Sequence, residues 1–270
     1  MRPTNLGALA LVATIVGIAT PLAAQIDYRN LDDDRPVVTE DAYPVEYRAF
    51  EFLAPYTFEQ EPGGGTLHAL VPEVEYGILR NGQIGLKAAF AGAGQGGSTD
   101  WGMAGLRPFG LYNFNTESRH LPAFSVRVDL HLPVGSLGGD QSRVTLKGMA
   151  TRSWGRTRFH GNAAWTFGSV AGAAVVEPGA RWSYSLAADR TLFRQSTLLV
   201  GEVATVRSAA GTPIQVNAGV GVRYQWSPTT VVDIGVRRRL RMDTGPDLAV
   251  TMALSHAFAL PGLMPRAARR

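Results

Sequence analysis

The 270-residue chain contains no cysteine. Disulfide frameworks, thiolate metal sites and cysteine nucleophiles are therefore excluded. It also lacks a strong excess of one charge. The 26 Lys and Arg stand against 22 Asp and Glu, a formal +4 spread along the chain. That is too mild and too dispersed for a nucleic-acid partner. Long apolar runs are scarce as well. Beyond Gln25 no window approaches the roughly 20 apolar residues of a spanning helix. The Gly-rich stretches at 92–97 and 135–139 lack the Lys-Ser/Thr ending of a phosphate loop, and no Gly-x-Ser-x-Gly elbow occurs. No cofactor is expected. What remains is a chain with 31 Gly, 16 Pro and 45% apolar residues, too rich in aromatic and β-branched residues for disorder. That composition fits a fold of strands and turns.

The chain opens on Met1-Arg2-Pro3 and an apolar run from Leu6 to Ile18, followed by Pro21, Ala23 and Ala24 before Gln25. A positive start, a short apolar stretch and small residues before a polar one predict a cleaved secretory signal over 1–24. Without Arg2 the chain keeps 25 bases against 22 acids. Residues 25–46 hold Asp32-Asp33-Asp34, Pro36 and Thr39-Glu40-Asp41 without periodicity, an acidic periplasmic leader or a plug-like arm.

From Tyr47 to Phe258 the chain divides into twelve segments of about ten residues, each alternating apolar with polar. The clearest runs from Phe124 to Leu132, with Ser125, Arg127, Asp129 and His131 on one phase and Val126, Val128 and Leu130 on the other. Successive side chains of a strand point to opposite faces, so each segment offers one apolar and one wet face. Strands are predicted near 47–59, 67–79, 82–91, 102–115, 123–133, 142–153, 157–167, 181–190, 197–205, 213–225, 229–238 and 247–258. Tight connections such as Arg80-Asn81-Gly82, Trp154-Gly155-Arg156 and Ser227-Pro228 alternate with longer Gly-rich ones, including Ser169 to Gly179. Only helices and closed barrels satisfy the backbone in lipid. An even number of strands with alternating turn lengths is the plan of an outer-membrane barrel, short turns on the periplasmic side. The fold class expected is thus all-β, a transmembrane antiparallel barrel, rather than a soluble sandwich burying the same apolar stripe. Residues 259–270 form a basic tail.

The apolar phase includes Phe52, Phe58, Tyr76, Phe90, Tyr112, Trp165, Tyr184, Tyr224 and Trp226, with aromatics toward strand ends as interfacial girdles require. The polar phase carries the acids Glu51, Glu59, Glu73, Glu75, Asp129, Asp189, Glu202 and Asp233. It also carries the bases Lys87, Arg107, Arg127, Arg143, Lys147, Arg181, Arg223 and Arg237. A charge facing lipid costs ~2–4 kcal/mol near the midplane, so these side chains are expected to line the lumen. Asn162, Asn217 and His131 share that phase. Together they either line a passage or fill the interior as ion pairs. The balance of eight acids and eight bases gives no ion preference. An interior blocked by Arg–Glu pairs would count against a pore.

Outer-membrane barrels include hydrolases, which raises the question of the five histidines. His131 and His160 fall inward and His256 outward, without a local Ser/His block. Ser125 with His131 is the pair to test, and no catalytic role is expected. A metal pair of His131 with His160 is not supported, because strand separation cannot be read from spacing. The run Arg237-Arg238-Arg239-Leu240-Arg241 near the outer end of the eleventh strand is either a solvated rim or a site for lipopolysaccharide phosphates.

Several stretches carry a resemblance: residues 39–46 (Thr-Glu-Asp-Ala-Tyr-Pro-Val-Glu), Pro72-Glu73-Val74-Glu75-Tyr76-Gly77, Tyr112-Asn113-Phe114-Asn115, Val216 to Tyr224, and Thr244-Gly245-Pro246-Asp247-Leu248. Together they resemble the outer-membrane "transporter" family associated with meta-pathway phenol degradation. The resemblance spans nearly the whole chain after the signal and implies a channel for small, often aromatic, molecules, with no catalytic residues. It implies as partners the lipid bilayer, a small-molecule solute and the barrel-assembly machinery. Such barrels usually end on a terminal aromatic, whereas Phe258 is followed by the tail to Arg270.

Overall fold

A computed structural model describes residues 26–95, 98–168, 182–192, 196–207, 213–241, 245–260 and 263. The expected signal segment, the loop from Ser169 to Gly179, Arg181 and most of the basic tail lie outside the described residues. Thirteen strand segments form one antiparallel sheet: β1 (Phe50–Gln60), β2 (Thr66–Leu70), β3 (Glu73–Leu79), β4 (Gly82–Gln95), β5 (Ser98–Asn115), β6 (Ala123–His131), β7 (Arg143–Trp154), β8 (Thr157–Phe167), β9 (Trp182–Leu192), β10 (Thr197–Arg207), β11 (Gln215–Ser227), β12 (Thr230–Arg241) and β13 (Leu248–Phe258). β1 pairs with both β2 and β3, both of these pair with β4, and each strand from β4 onward pairs with the next. β13 returns to β1 in a register from Phe50↔Phe258 to Gln60↔Leu248, which closes the sheet.

β2 and β3 are two pieces of one stave. Both pair with β1 on one side and with β4 on the other in a single continuous register. The closed barrel therefore has twelve positions. The break falls at Val71-Pro72, where proline has no N–H to give to the ladder. The neighbouring strands still reach across it: Val71 N–H donates to the Pro55 carbonyl (3.0 Å) and Ala88 N–H to the Pro72 carbonyl (2.9 Å). The 67–79 segment expected as one strand is thus one barrel position with an interruption. A second difference lies in the β4–β5 hairpin, whose strands run on to Gln95 and from Ser98 through the stretch read as a Gly-rich loop. Alternating apolar positions continue there, Ala91 buried and Trp101 exposed, so the ladder is longer than the turn residues suggest.

The two faces invert the pattern of a water-soluble protein. Outward-facing Trp226, Leu186 and Val220 are 74%, 71% and 61% exposed, while Arg127 and Arg223 are 0% and 1% exposed. A water-soluble sheet would bury the first set and solvate the second. In a bilayer the acyl chains take the place of a core on the outside, and the ionised groups meet water or one another within. The chain is accordingly a transmembrane β-barrel of the outer-membrane type.

What fills the centre is the acidic segment that precedes β1. It enters at the short-turn end, where Ile26 N–H donates to the Pro228 carbonyl (3.1 Å). It leaves there again, where Arg48 N–H donates to the Gly77 carbonyl (2.7 Å). Between these points it loops through the lumen, and its own stem is closed by Asp41 N–H donating to the Leu31 carbonyl (2.9 Å). Inward-facing apolar residues of the wall pack against it in three clusters. Val231 and Ala257 meet Ile26 and Val45; Leu198 and Val200 meet Leu31 and Val37; Leu111 and Met149 meet Ala42. In these three clusters the wall packs against the arm, and residues 26–49 occupy the lumen.

Candidate functional site: the lumen and its arm

The inward phase of the strands places its ionised groups where the arm passes, and the ion pairs fall into three groups. The first lies on β4–β7. Lys87, Arg107, Arg127 and Lys147 project from four consecutive strands. The Asp33 carboxylate of the arm sits among them, 2.6 Å from Lys147 Nζ, 3.1 Å from Lys87 Nζ, 3.7 Å from Arg107 Nη1 and 3.9 Å from Arg127 Nη2. Glu40 of the arm adds contacts of 2.9 Å to both Arg127 Nη1 and Lys147 Nζ. The wall's own acids contribute Glu73 to Lys87 (3.2 Å) and Asp129 to Arg127 (2.9 Å). The Arg127 guanidinium also lies 3.7 Å over the Phe109 ring centroid, a cation–π stack that an ammonium would fill less well.

The second group lies on the opposite wall. Arg35 of the arm reaches Asp233 (3.1 Å), Glu51 (3.3 Å) and its own neighbour Asp32 (2.6 Å), and it also donates to the Ser255 hydroxyl. Arg223 pairs with Asp233 (2.6 Å) and with Asp32 (3.0 Å). Here the wall makes room for backbone. Gly221 and Gly235 are Cα partners on β11 and β12. A Cβ on Gly235 would lie 1.8 Å from the Pro36 carbonyl oxygen, and one on Gly221 2.6 Å from the Pro36 Cβ. Only a residue without a side chain lets the arm approach this closely.

The third group clamps the stem. Arg158 of β8 pairs with Asp189 of β9 (2.6 Å) and with Asp41 (3.3 Å) and donates to the Arg29 carbonyl, so one guanidinium holds both legs of the arm to the β8–β9 wall. His160 Nε2 lies 2.9 Å from Asp189 and its Nδ1 3.0 Å from Thr151 Oγ1. Thr151 in turn accepts the Ala42 N–H (3.0 Å). Burial pushes the Asp41 carboxyl up to about 6, while Arg158 and His160 pull in the opposite direction. A further anchor comes from Glu202, which accepts hydrogen bonds from the backbone N–H groups of Val38 and Thr39 (3.0 and 2.9 Å).

Of the residues expected in the lumen, Glu51, Glu73, Glu75, Lys87, Arg107, Arg127, Asp129, His131, Arg143, Lys147, Asp189, Glu202, Arg223 and Asp233 have buried side chains. Asn162, Asn217 and Arg237 are half-buried, and Arg237 pairs with Glu59 at 3.0 Å. Arg181 lies outside the described residues. Ser125 and His131 are not brought together: six residues apart on β6, they stand about 20 Å from each other. His131 instead shares a hydrogen bond with Thr145 (2.9 Å). The basic run divides by phase. Arg237 and Arg239 turn inward to Glu59 and Asp247, while Arg238 and Arg241 are exposed. Sequence reading misses Arg158 as an interior group, although it shares the phase of His160 two residues on. It also misses the partners supplied by the arm, which carries no periodic signal.

The arm leaves a cavity at each end. The one toward the long loops holds about 440 Å³ and is lined by Asp33, Asp34, Lys87, Arg107, His131, Lys147 and Asn217 together with Leu67, Ala69 and Val71. The one toward the short turns holds about 830 Å³ and is lined by Tyr28, Arg29, Glu46, Arg156, Arg158 and Gln225. Chemically the arrangement is a polar conduit interrupted by a segment bound to both walls.

Residues 56–258 match the model of the family described as "Putative MetA-pathway of phenol degradation", and the chain belongs to that family. No curated protein matches it. Among solved structures it is similar to the COG4313 outer membrane channel from Pseudomonas putida F1, at 13% identity and a TM-score of 0.59 over 85% of this chain and 100% of that one. It is also similar to the CymD monoaromatic hydrocarbon channel (9% identity, TM-score 0.49, 79% and 89% covered). A third similar structure is outer membrane phospholipase A from Escherichia coli (10%, 0.46, 80% and 94%). The first of these likenesses supports the fold.

Proposed function

We propose that this barrel is a passive outer-membrane channel for small molecules, with the arm as its internal restriction. The observation that carries the reading is the pair of cavities, one at each end of a charged lumen, with the arm between them. The arm's hold on the β4–β7 wall is largely ionic, and such contacts exchange with water and solute more readily than a sealed apolar core. Membership of a phenol-degradation family favours aromatic or hydrophobic solutes. On this reading the protein is a conduit and not an enzyme. The bilayer surrounds it, the exposed Arg238 and Arg241 meet lipopolysaccharide phosphates at the outer rim, and the assembly machinery inserts it.

A second reading has its own observation: Arg35, Thr39, Glu40 and Asp41 are fully or almost fully buried, which is what a permanently filled barrel would show. Liposome swelling and single-channel recording, on the full protein and on a variant lacking 26–46, separate the two. A channel gives solute flux and conductance that rise when the arm is removed. A filled structural barrel passes nothing in the full protein and gains only a leak without solute preference in the variant. Hydrolysis of lipid or ester substrates that is lost in His131→Ala would replace both readings.

A further inference from the structure

Lys87, Arg107, Arg127 and Lys147 on β4–β7 are in an arrangement that a sheet does not tolerate alone. Lys87 and Arg107 are Cα partners across β4–β5, and Arg127 and Lys147 are Cα partners across β6–β7. Like charges directly opposite each other on one face repel, and these are buried, so each pair needs an anion between its members. Among the described ion pairs the wall contributes Glu73 and Asp129 to these four cations. The arm supplies Glu40 and Asp33. Asp33 is the more revealing. Its single carboxylate is approached by all four cations, and it lines the outer cavity beside Lys87, Arg107 and Lys147. A bound organic carboxylate would be held in the same way, by converging charge-assisted bonds from side chains on rigid strands.

We infer that the inner face of β4–β7 is a binding site for a small organic carboxylate, occupied in the resting barrel by the arm's own Asp33. The site opens on the outer cavity of about 440 Å³, within the range of small-ligand pockets. Ala69 and Val71 line the same cavity and offer an apolar surface for the rest of the solute. A solute carboxylate arriving from outside competes with Asp33 for the same four bases. Binding would thus loosen the arm's tip at the point where it blocks the lumen. The inference deepens the channel reading by naming the solute class, and it relies on that reading only for the solute's route.

The test titrates benzoate and its neutral isostere benzamide into the full protein in detergent micelles, with binding followed by calorimetry. Asp33→Asn keeps the side chain's shape and removes its charge. Benzoate is expected to bind this variant about tenfold more tightly than the parent, with benzamide unchanged. The double variant Asp33→Asn/Lys147→Gln is expected to lose that gain. Unchanged benzoate affinity in Asp33→Asn would overturn the inference. So would an equal gain for benzamide, which marks a vacated space rather than a charge site, or a gain that survives in the double variant. Should Asp33→Asn lose the heat-modifiable gel migration of a folded barrel, Glu40→Gln, which removes the arm's other carboxylate from Arg127 and Lys147, is read by the same criteria. A full protein that passes no solute through liposomes would overturn the channel reading, whereas the titration decides the binding site by itself.

Discussion

The two walls that hold the arm do so by different means. On β4–β7 the grip is made by long cationic side chains that close around the carboxylates of Asp33 and Glu40. On β11 and β12 it is made by removal of side chains, Gly221 and Gly235 letting Pro36 lie against the strand backbone, with Arg35 anchored beside it. The difference matters for function. Charge held at the ends of flexible chains can be satisfied by another anion, whereas a fitted backbone contact has no small-molecule substitute. The β4–β7 wall is therefore the side on which a solute can displace the arm, and the β11–β12 wall is the side on which the arm stays hinged.

The largest effect should follow from breaking the fitted side. A Cβ on Gly235 overlaps the Pro36 carbonyl oxygen, a backbone atom that cannot swing away. Gly235→Val is expected to expel the arm's tip and raise single-channel conductance several-fold, approaching that of the variant lacking 26–46. The barrel should persist, because the β11–β12 ladder tolerates valine well. Normal heat-modifiable migration with unchanged conductance would show that the tip is not seated there.

Next in size is the clamp at the stem. Arg158→Leu leaves Asp189 and Asp41 buried without their shared guanidinium. Removing one partner from a buried pair costs ~3–5 kcal/mol. The temperature at which the barrel changes its gel migration should fall, and conductance should rise because both legs of the arm lose their tether. A drop in thermal transition without any change in conductance would mean that the clamp serves the wall alone. Smaller again is Arg127→Lys. The charge remains beside Glu40 and Asp129, but the planar stack on Phe109 is lost, for an expected cost of ~1–2 kcal/mol. The half-exposed pair Glu59–Arg237 gives a lower reference, since Glu59→Gln is expected to cost under ~1 kcal/mol.

The same contrast explains what the amino-acid sequence reveals and what it hides. The strands are legible because their period of two repeats over and over, and the charged phase from Glu51 to Arg237 is the lumen phase wherever it is described. Gly221 and Gly235 sit in that phase too, but nothing local says what a missing side chain makes room for. The arm's path is hidden for a related reason. Asp33 and Lys147 are 114 residues apart, and no periodicity links an unpatterned acidic stretch to one wall rather than another. The even balance of acids and bases on the strands conceals their segregation, since Lys87, Arg107, Arg127 and Lys147 gather on β4–β7 and draw counter-charge from the arm as well as from the wall. The break at Val71-Pro72 is readable in principle, because a proline inside a strand forfeits a ladder bond. In the Pro-Glu-Val-Glu-Tyr-Gly stretch, however, the family pattern and the alternation are the stronger signals and mask it.

Acidity gives the smallest and sharpest way to test the arm's docking. The Asp41 carboxyl has a docked pKa of about 6, raised by burial against the pull of Arg158 and His160, with Asp32 adding to the rise. A carboxyl whose pKa is higher in the docked state than in the free chain binds its proton more tightly when docked. Its contribution is therefore fully present below the ordinary carboxylate range and is lost as pH rises through about 6. Asp33 runs the other way. Burial alone would raise it, but Lys147, Lys87, Arg127 and Arg107 together hold it well below the ordinary range, so it stays ionised and bound until far more acidic conditions. Between pH 5 and pH 7.5 the charge grip of Asp33 is constant, while the Asp41 contribution changes. Conductance should be modestly lower at pH 5 than at pH 7.5, and Asp41→Asn should flatten that dependence while leaving the effect of Gly235→Val in place. A pH response that persists in Asp41→Asn would move the titrating group from the arm's stem to the wall.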